Sequence, residues 1–235
     1  MRRVLLTIMM TVLVCVTHAK TFLVCVGISD YPGRFNDLRV SAEDPKLVKR
    51  LFEVNGNSSA LLFTNSQASL SNVISAMRHA YSQAGSNDAV VFFFSGHGIP
   101  GGFACYDGML YYRTITDIMK KSRAATKIVL ADACYSGSMR RGNKHDNSYS
   151  KENVMFFLSS RKGETLREMR GWKNSVFTTY LVRGLRGGAD ANNNRIITAR
   201  ELFNFVSNGV IKVTRKGQHP VMWGKFDGNM TILKW

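Results

Sequence analysis

Apolar runs alternate with amphipathic stretches along most of the chain. Runs rich in β-branched and aromatic residues predict buried strands at 90–94, 127–133 and 154–158, and further strands at 21–28 and 60–63. Apolar residues with helical spacing come after three helix-start signals. These signals are the capping residue Ser69 and the capping-box patterns Ser41–Asp44 and Thr114–Asp117. Strands that alternate with helices form parallel sheets with crossover helices, so the pattern predicts an α/β fold.

Two of the predicted strands end abruptly in small and reactive residues. One ends in Ser95, Gly96 and His97, and the other in Asp132, Ala133 and Cys134. In an open α/β sheet the functional crevice lies outside the carboxyl ends of the strands, where a thiol and an imidazole make a nucleophile and its base. Side chains two residues apart share a strand face, so we expect Ser95 beside His97 and Asp132 beside Cys134.

The segments Phe94–Gly98 and Asp132–Gly137 together resemble the caspase-like cysteine peptidases, and are most similar to the metacaspase and bacterial caspase-like branch. Segments 27–44 and 176–220 extend the resemblance over nearly all of residues 20–235. It implies a three-layer sandwich of the caspase-hemoglobinase type, with a mostly parallel central sheet of about six strands and helices on both faces. It also implies a cysteine endopeptidase with a His97–Cys134 dyad and an oxyanion hole from the N–H groups of Gly98 and Cys134.

Substrate specificity is predicted to depend on Asp132, where the caspase signature has Gln. A carboxylate beside the nucleophile repels an acidic substrate side chain and attracts a basic one. The resemblance implies that Asp132, Ser95 and Asp44 form a pocket for Arg or Lys before the cut, in a peptide or protein substrate. Asp44 has a second explanation, since an acid in the first turn of a helix is favoured by the helix dipole.

Two loops bear on the predicted cleft. Residues 103–112, with Asp107-Gly108 at their middle, predict a β-hairpin that either walls the cleft or is an ordinary surface hairpin. Residues 138–152 are polar and basic, with Arg140, Arg141, Lys144 and Lys151. An enzyme that cuts after basic residues is expected to cut itself there, and the alternative is a solvated basic loop.

One further pattern matches part of a calcium-binding loop. The oxygen-bearing positions are Asp190, Asn192, Asn194 and Glu201. Arg195 stands where such loops have Gly, and the alternative is a turn in which Thr198 and Glu201 form a capping box. We expect no metal or required cofactor, with calcium as the one candidate activator.

The amino terminus predicts export. A basic start, a short apolar run and small residues before Ala19 indicate a secretory signal peptide at 1–19, followed by a peptidase domain at 20–235. The alternatives are a buried first strand and a lipidated Cys15. The mature chain is then expected in the periplasm, at the cell surface or outside a bacterium, without a transmembrane helix. Of its three cysteines, Cys134 is the candidate free thiol, and pairing of Cys25 with Cys105 stays open.

The chain is strongly basic, with a formal net charge of +16. Such a charge favours anionic partners, but the basic residues are scattered, which predicts a soluble basic surface rather than a dedicated nucleic-acid site. Alternatives to the peptidase are a catalytically silent caspase-like binding protein, an exported basic protein that binds anionic polymers, and a different hydrolase, such as a transpeptidase, using the same dyad. We expect a monomer.

Overall fold

The computed structural model describes residues 19–33, 36–133, 153–161, 164, 169 and 171–234. Three predictions fall outside these residues: the signal segment up to residue 18, the basic loop at 138–152, and the nucleophile Cys134. They stay predictions.

The described residues form strands and helices that alternate along the first two thirds of the chain. The strands are β1 (Thr21–Gly27), β2 (Ser58–Thr64), β3 (Ala89–Gly96), β4 (Gly98–Ile99), β5 (Gly102–Ala104), β6 (Met109–Tyr111), β7 (Thr126–Ala133), β8 (Met155–Leu158), β9 (Ile196–Thr198), β10 (Val221–Trp223) and β11 (Thr231–Lys234). The helices are α1 (Asp44–Val54), α2 (Leu70–Ser82), α3 (Tyr112–Lys120), α4 (Val176–Arg183) and α5 (Ala199–Val213).

The central sheet has six strands in the order β10-β8-β7-β3-β1-β2. The strands from β2 to β8 in this order are parallel to their neighbours, and β10 is antiparallel to β8. The predicted mostly parallel sheet is therefore confirmed. The carboxyl ends of β1, β3 and β7 meet at one edge, because Gly27 pairs with Ser95 and Ser95 pairs with Asp132.

Helices cover both faces of this sheet, which makes three layers. On one face, Val24 and Phe92 pack against α2 and α3. On the other, Leu23 and Phe93 pack against α1, α4 and α5. In β1, β3 and β8 successive residues are buried on opposite faces, which explains their continuously apolar sequences, whereas the edge strand β2 is partly exposed.

The two face clusters also answer the question of cysteine pairing. Cys25 is buried in the cluster with α1, and Cys105 in the cluster with α2. Both are free thiols that lie on opposite sides of the central sheet. A disulfide between them is therefore excluded.

Helix starts are where local sequence rules succeed and fail. Ser69 caps α2 by accepting from the Asn72 backbone N–H at 3.2 Å, as predicted. The capping box predicted at Ser41–Asp44 is wrong: α1 starts without a side-chain cap. The Asp44 carboxylate is bound by buried tertiary partners instead.

The helix start predicted from the pattern Thr114–Asp117 is also wrong. Helix α3 begins two residues earlier, at Tyr112, and has no side-chain cap. Tyr112 and Ile115 are buried, so the apolar stripe of α3 includes the first turn and places Thr114 inside the helix. Burial of the helix face has overridden the local capping signal.

Two smaller sheets complete the fold. Strands β4, β5 and β6 form an antiparallel sheet whose β5–β6 pair confirms the predicted hairpin. The terminal strand β11 pairs with β9 rather than with a strand of the central sheet. Sequence reasoning had not predicted strand β9. No helix in the described part of the chain is long and apolar enough to cross a membrane.

Gly27, the last residue of β1, allows the start of α1 to approach the sheet edge. A Cβ at Gly27 would lie 2.2 Å from the Ser41 carbonyl oxygen and 2.5 Å from Pro45 Cγ. These contacts are too short for any side chain. The close approach places Asp44, which lies beside Pro45, against the ends of β3 and β7.

We predict that Gly27→Ala lowers the free energy of unfolding by about 2 kcal/mol or more, because the added methyl group displaces backbone. The matched control is Gly85→Ala, where a Cβ would lie 3.5 Å from its nearest neighbour, Asp88 Oδ2. Chemical denaturation of both variants measures the difference. Equal stability of the two variants would contradict the close packing described.

Candidate active site

His97 directly follows β3 at the carboxyl edge of the sheet. Its neighbour Gly96 pairs with Ala133, the last described residue of β7. Cys134 comes next in the sequence and lies outside the described residues, so the structure gives no distance between it and His97. Gly98, the predicted oxyanion donor, is the first residue of β4 and pairs with Phe103.

The backbone of His97 is held by Tyr31. The Tyr31 hydroxyl accepts from the His97 backbone N–H at 3.0 Å and donates to the Ala104 carbonyl oxygen, also at 3.0 Å. The two rings lie 4.7 Å apart between centroids. Burial raises the pKa of the Tyr31 hydroxyl, so it remains a neutral donor. Sequence reasoning had missed this role, although Tyr31 lies within the segment 27–44 that extends the family resemblance.

One contact of the His97 ring identifies which ring nitrogen carries the hydrogen. Its Nε2 atom lies 2.7 Å from the Asn36 carbonyl oxygen. A carbonyl oxygen only accepts hydrogen bonds, so Nε2 carries the hydrogen. In the neutral ring, Nδ1 is then left as the atom that takes up a proton.

Gly96 is required by this arrangement. A Cβ at Gly96 would lie 2.5 Å from the Tyr31 hydroxyl and 2.9 Å from Phe94 Cζ. Any side chain there would displace the residue that holds His97. Close packing against Tyr31 and Phe94 therefore explains why a glycine precedes His97.

The hairpin is bonded directly to the His97 segment. The Ala104 backbone N–H donates to the His97 carbonyl oxygen at 2.9 Å. Phe103 stacks on Phe94 of β3, with ring centroids 4.5 Å apart. The hairpin is thus anchored beside the candidate site, and its role as a wall of the substrate cleft stays a prediction.

The three residues predicted to bind a basic side chain lie together. Ser95 pairs with Asp132 on the neighbouring strand, and its hydroxyl donates to Asp44 Oδ2 at 2.8 Å. All three residues have no exposed surface. Two carboxylates and a hydroxyl therefore form one buried cluster at the carboxyl edge of the sheet, which we call the acid cluster.

Further donors to the acid cluster come from the start of α4, a contribution that sequence reasoning had missed. Asp44 Oδ1 accepts from Asn174 Nδ2 at 3.0 Å and from the Ser175 backbone N–H at 3.1 Å. Asp132 Oδ2 accepts from the Ser175 hydroxyl, and from the Thr178 hydroxyl and N–H at 3.1 and 3.3 Å. The available signal was Ser175 as a capping residue, but capping alone does not indicate which buried group it also binds.

The two oxygens of the Asp132 carboxylate differ in their hydrogen bonding. Oδ1 is buried and has no hydrogen-bond partner among the described residues. The Ser159 hydroxyl lies close enough to lower the pKa of Asp132, but its hydrogen bonds, at 3.2 and 3.4 Å, are to the Ala133 backbone. A buried carboxylate oxygen without a partner is costly, and a cation beside it would remove that cost.

Burial dominates the electrostatics of both carboxyls. Burial raises the pKa of Asp44 from 3.8 to about 7, and the nearby charge of Asp132 raises it as well. Burial raises the pKa of Asp132 from 3.8 to about 6, against the lowering effect of the hydroxyls of Ser175, Ser159 and Thr178. Near neutral pH the acid cluster is therefore poised to gain charge when a cation arrives.

The candidate calcium loop is held by its own hydrogen bonds. Asp190 accepts from the backbone N–H groups of Asn194 and Arg195 at 3.1 and 2.9 Å, and Asn192 Oδ1 accepts from Asn194 at 3.1 Å. Thr198 and Glu201 form the capping box named as the alternative. Among the described residues, no three His, Cys, Asp or Glu side chains group as metal ligands. Calcium binding through Asp190, Asn192, Asn194 and Glu201 stays a prediction.

We predict that the free energy of unfolding falls as pH rises from about 4 to about 7. Both buried carboxyls have folded-state pKa values above their unfolded ones, so the folded state binds more protons in this window. Asp132→Asn removes one titrating charge, so its stability should depend less on pH. Denaturation at several pH values measures both effects.

The control for this prediction is Asp117→Asn, at an exposed carboxylate on α3. It should leave the pH dependence of the wild type unchanged. A wild-type protein whose stability rises from pH 4 to pH 7, or an Asp132→Asn variant with the wild-type slope, would contradict the electrostatics derived for the acid cluster.

Comparison with known proteins supplies the family. The sequence model of the caspase domain matches residues 20–229, and no curated protein matches the chain. Among solved structures, protein GSU0716 from Geobacter sulfurreducens is 15% identical with a TM-score of 0.66, covering 88% of this chain and 94% of that chain. Caspase-1 from Spodoptera frugiperda is 12% identical with a TM-score of 0.63, covering 91% and 88%.

At these identities the two structures show a shared fold and nothing more. The six-stranded, mostly parallel sheet covered by helices is the caspase-hemoglobinase architecture. The family match spans nearly all of the chain after residue 19. This chain therefore belongs to the caspase domain family, whose members are cysteine peptidases.

Proposed function

We propose that the protein is a cysteine endopeptidase that uses a His97–Cys134 dyad and cuts peptide bonds after Arg or Lys. The observation that carries the proposal is the acid cluster. One of its carboxylates, Asp132, precedes Cys134 by two positions, and the other, Asp44, accepts from the hydroxyl of Ser95, which precedes His97 by two. No cofactor is needed for this chemistry.

The proposed reaction begins with proton transfer from the Cys134 thiol to His97 Nδ1. The thiolate attacks the substrate carbonyl carbon, and the N–H groups of Gly98 and Cys134 stabilise the resulting oxyanion. His97 returns its proton to the leaving amine as the peptide C–N bond breaks, which leaves a thioester on Cys134. A water molecule, deprotonated by His97, then hydrolyses the thioester and restores the thiol.

Three features support the geometry of this dyad. Register pairs Gly96 with Ala133, so His97 and Cys134 follow from neighbouring positions on adjacent strands. The Asn36 carbonyl oxygen at Nε2 leaves Nδ1 available for proton transfer. Tyr31 fixes the backbone of His97 through a buried hydroxyl. Such preorganisation is what general acid–base catalysis requires.

Basic specificity is supported by the charge and hydrogen bonding of the acid cluster. Asp132 Oδ1 has no donor among the described residues, and both carboxylates are buried in one site. A guanidinium or ammonium group supplies the missing donors and favours ionisation of both carboxyls. An acidic substrate side chain would add a third negative charge, which the cluster repels.

Self-processing follows from the same specificity. The basic residues of the loop, Arg140, Arg141, Lys144 and Lys151, are sites that such an enzyme would accept. Cleavage between 138 and 152 would divide the chain into a part that contains β1 to β7 with Cys134 and a part that contains β8 to β11, as an activation step. The proposal of export rests on residues 1–19 and is independent of the catalytic proposal.

The first test uses residues 20–235 and fluorogenic peptides with Arg, Lys, Asp or an uncharged residue before the scissile bond, each with calcium or with chelator. We expect turnover only after Arg or Lys, and its loss in Cys134→Ala. We also expect the wild-type chain, but not Cys134→Ala, to be cut within 138–152, as mass spectrometry would show.

The other outcomes separate the alternatives. Turnover after Asp would retain the dyad and exclude the basic pocket. No turnover, with tight binding of a peptide to the cleft, would favour a catalytically silent binding protein, and salt-sensitive binding of nucleic acid or lipopolysaccharide would favour a protein for anionic polymers. Turnover only with calcium, lost in Asp190→Ala, would assign the calcium loop. A fully active preparation with an intact chain would exclude self-processing as activation.

A second prediction concerns Tyr31. Tyr31→Phe removes the acceptor for the His97 backbone N–H and keeps the ring, so we expect kcat to fall about tenfold with little change in KM. Tyr106→Phe, at a half-buried tyrosine whose backbone N–H bonds Ala68, is the control. An unchanged kcat in Tyr31→Phe would show that this hydroxyl does not position the dyad.

A further inference from the structure

Ser175 is the one described residue that binds both carboxylates of the acid cluster. Its backbone N–H donates to Asp44 Oδ1 at 3.1 Å, and its hydroxyl donates to Asp132 Oδ2. The same hydroxyl accepts from the Thr178 N–H at 3.2 Å and so caps α4. Ser175 therefore links the carboxylates of Asp44 and Asp132 to the start of α4 through hydrogen bonds.

Thr178, in the first turn of α4, adds two donors to the same oxygen. Its hydroxyl lies 3.1 Å and its N–H 3.3 Å from Asp132 Oδ2. All three donors thus bind Oδ2, whereas Oδ1 has no partner among the described residues. Thr178 has no exposed surface, so no water competes with its hydroxyl from the solvent side.

We propose that Ser175 and Thr178 are positioning residues of the specificity pocket: they hold one oxygen of the Asp132 carboxylate so that its other oxygen is free to bind the cationic side chain of the substrate. This inference rests on the proposed cleavage after Arg or Lys. It assigns a specificity role to the start of α4, which is far along the chain from the dyad.

The physical reason is that a carboxylate rotates about its Cβ–Cγ bond unless one oxygen is fixed. With Oδ2 held by three donors, the carboxylate plane and the direction of Oδ1 are set before the substrate arrives. The donors also lower the pKa of Asp132 against the effect of burial, which favours the charged form that a cation needs. Loss of one donor therefore weakens cation binding without touching the reacting atoms.

The better test residue is Thr178, since Ser175 also caps α4. Thr178→Val removes the hydroxyl, keeps the size of the side chain and keeps the backbone N–H. Thr178→Ser restores the hydroxyl. The matched control is Thr116→Val, because Thr116 is equally buried on α3 and its hydroxyl has no partner among the described residues.

The experiment measures kcat and KM separately on the Arg peptide, and the binding of agmatine as a guanidinium probe. In Thr178→Val we expect KM and the agmatine Kd to rise about tenfold, with kcat within about twofold of wild type. Thr178→Ser should recover most of the loss, and Thr116→Val should match wild type. Equal KM and Kd in Thr178→Val and Thr116→Val would overturn the proposal.

A readout that needs no activity separates this proposal from the proposed function. Carboxyl carbon NMR follows the titration of Asp132, whose midpoint should move to higher pH in Thr178→Val and not in Thr116→Val. If the wild type cuts no basic peptide and binds no agmatine, the proposed function fails, and a shifted midpoint still shows that Thr178 holds the carboxylate. An unshifted midpoint overturns the positioning role, whether or not the enzyme is active.

Discussion

Burial of two carboxylates at one edge of a sheet is the constraint on which the rest of the site depends. An isolated charge in such a place is very costly, and neutralisation or many hydrogen bonds must offset the cost. The structure shows both responses: the pKa values of Asp44 and Asp132 are raised, and Ser95, Ser175 and Thr178 donate to them. The start of α4 contributes its positive dipole end as well. In the proposed function, the cationic side chain of the substrate completes this cluster.

The histidine side of the edge is built by a different means. Tyr31 links the β1 turn to the His97 N–H and to the hairpin carbonyl of Ala104, while Gly96 leaves the space that this hydroxyl needs. The hairpin in turn stacks Phe103 on the strand that carries His97. The position of His97 is therefore fixed by hydrogen bonds and packing to rigid elements, which suits its proposed role in proton transfer.

Much of the fold was predictable because its signals are local and repeated. Continuous apolar runs indicate strands buried on both faces, and helices between them require parallel pairing. Predictions failed where tertiary contacts override a local pattern. Asp44 has the spacing of a capping-box acid, yet its carboxylate bonds Ser95 and Asn174 instead. Strand β9 was missed because its three residues form a strand only by pairing with β11.

The sequence by itself determined the strand and helix alternation, the delivery of His97 to a strand end, and the candidate acids that follow from family resemblance. The resemblance also implied that these acids lie together, but only the tertiary structure showed which groups hold them. Ser175 lies 131 residues from Asp44 and 43 from Asp132, and no spacing pattern relates such positions. They meet because parallel crossovers bring the starts of α1 and α4 and the ends of β3 and β7 to the same sheet edge. Hydrogen bonds at that edge depend on distances in space, which a linear pattern does not contain.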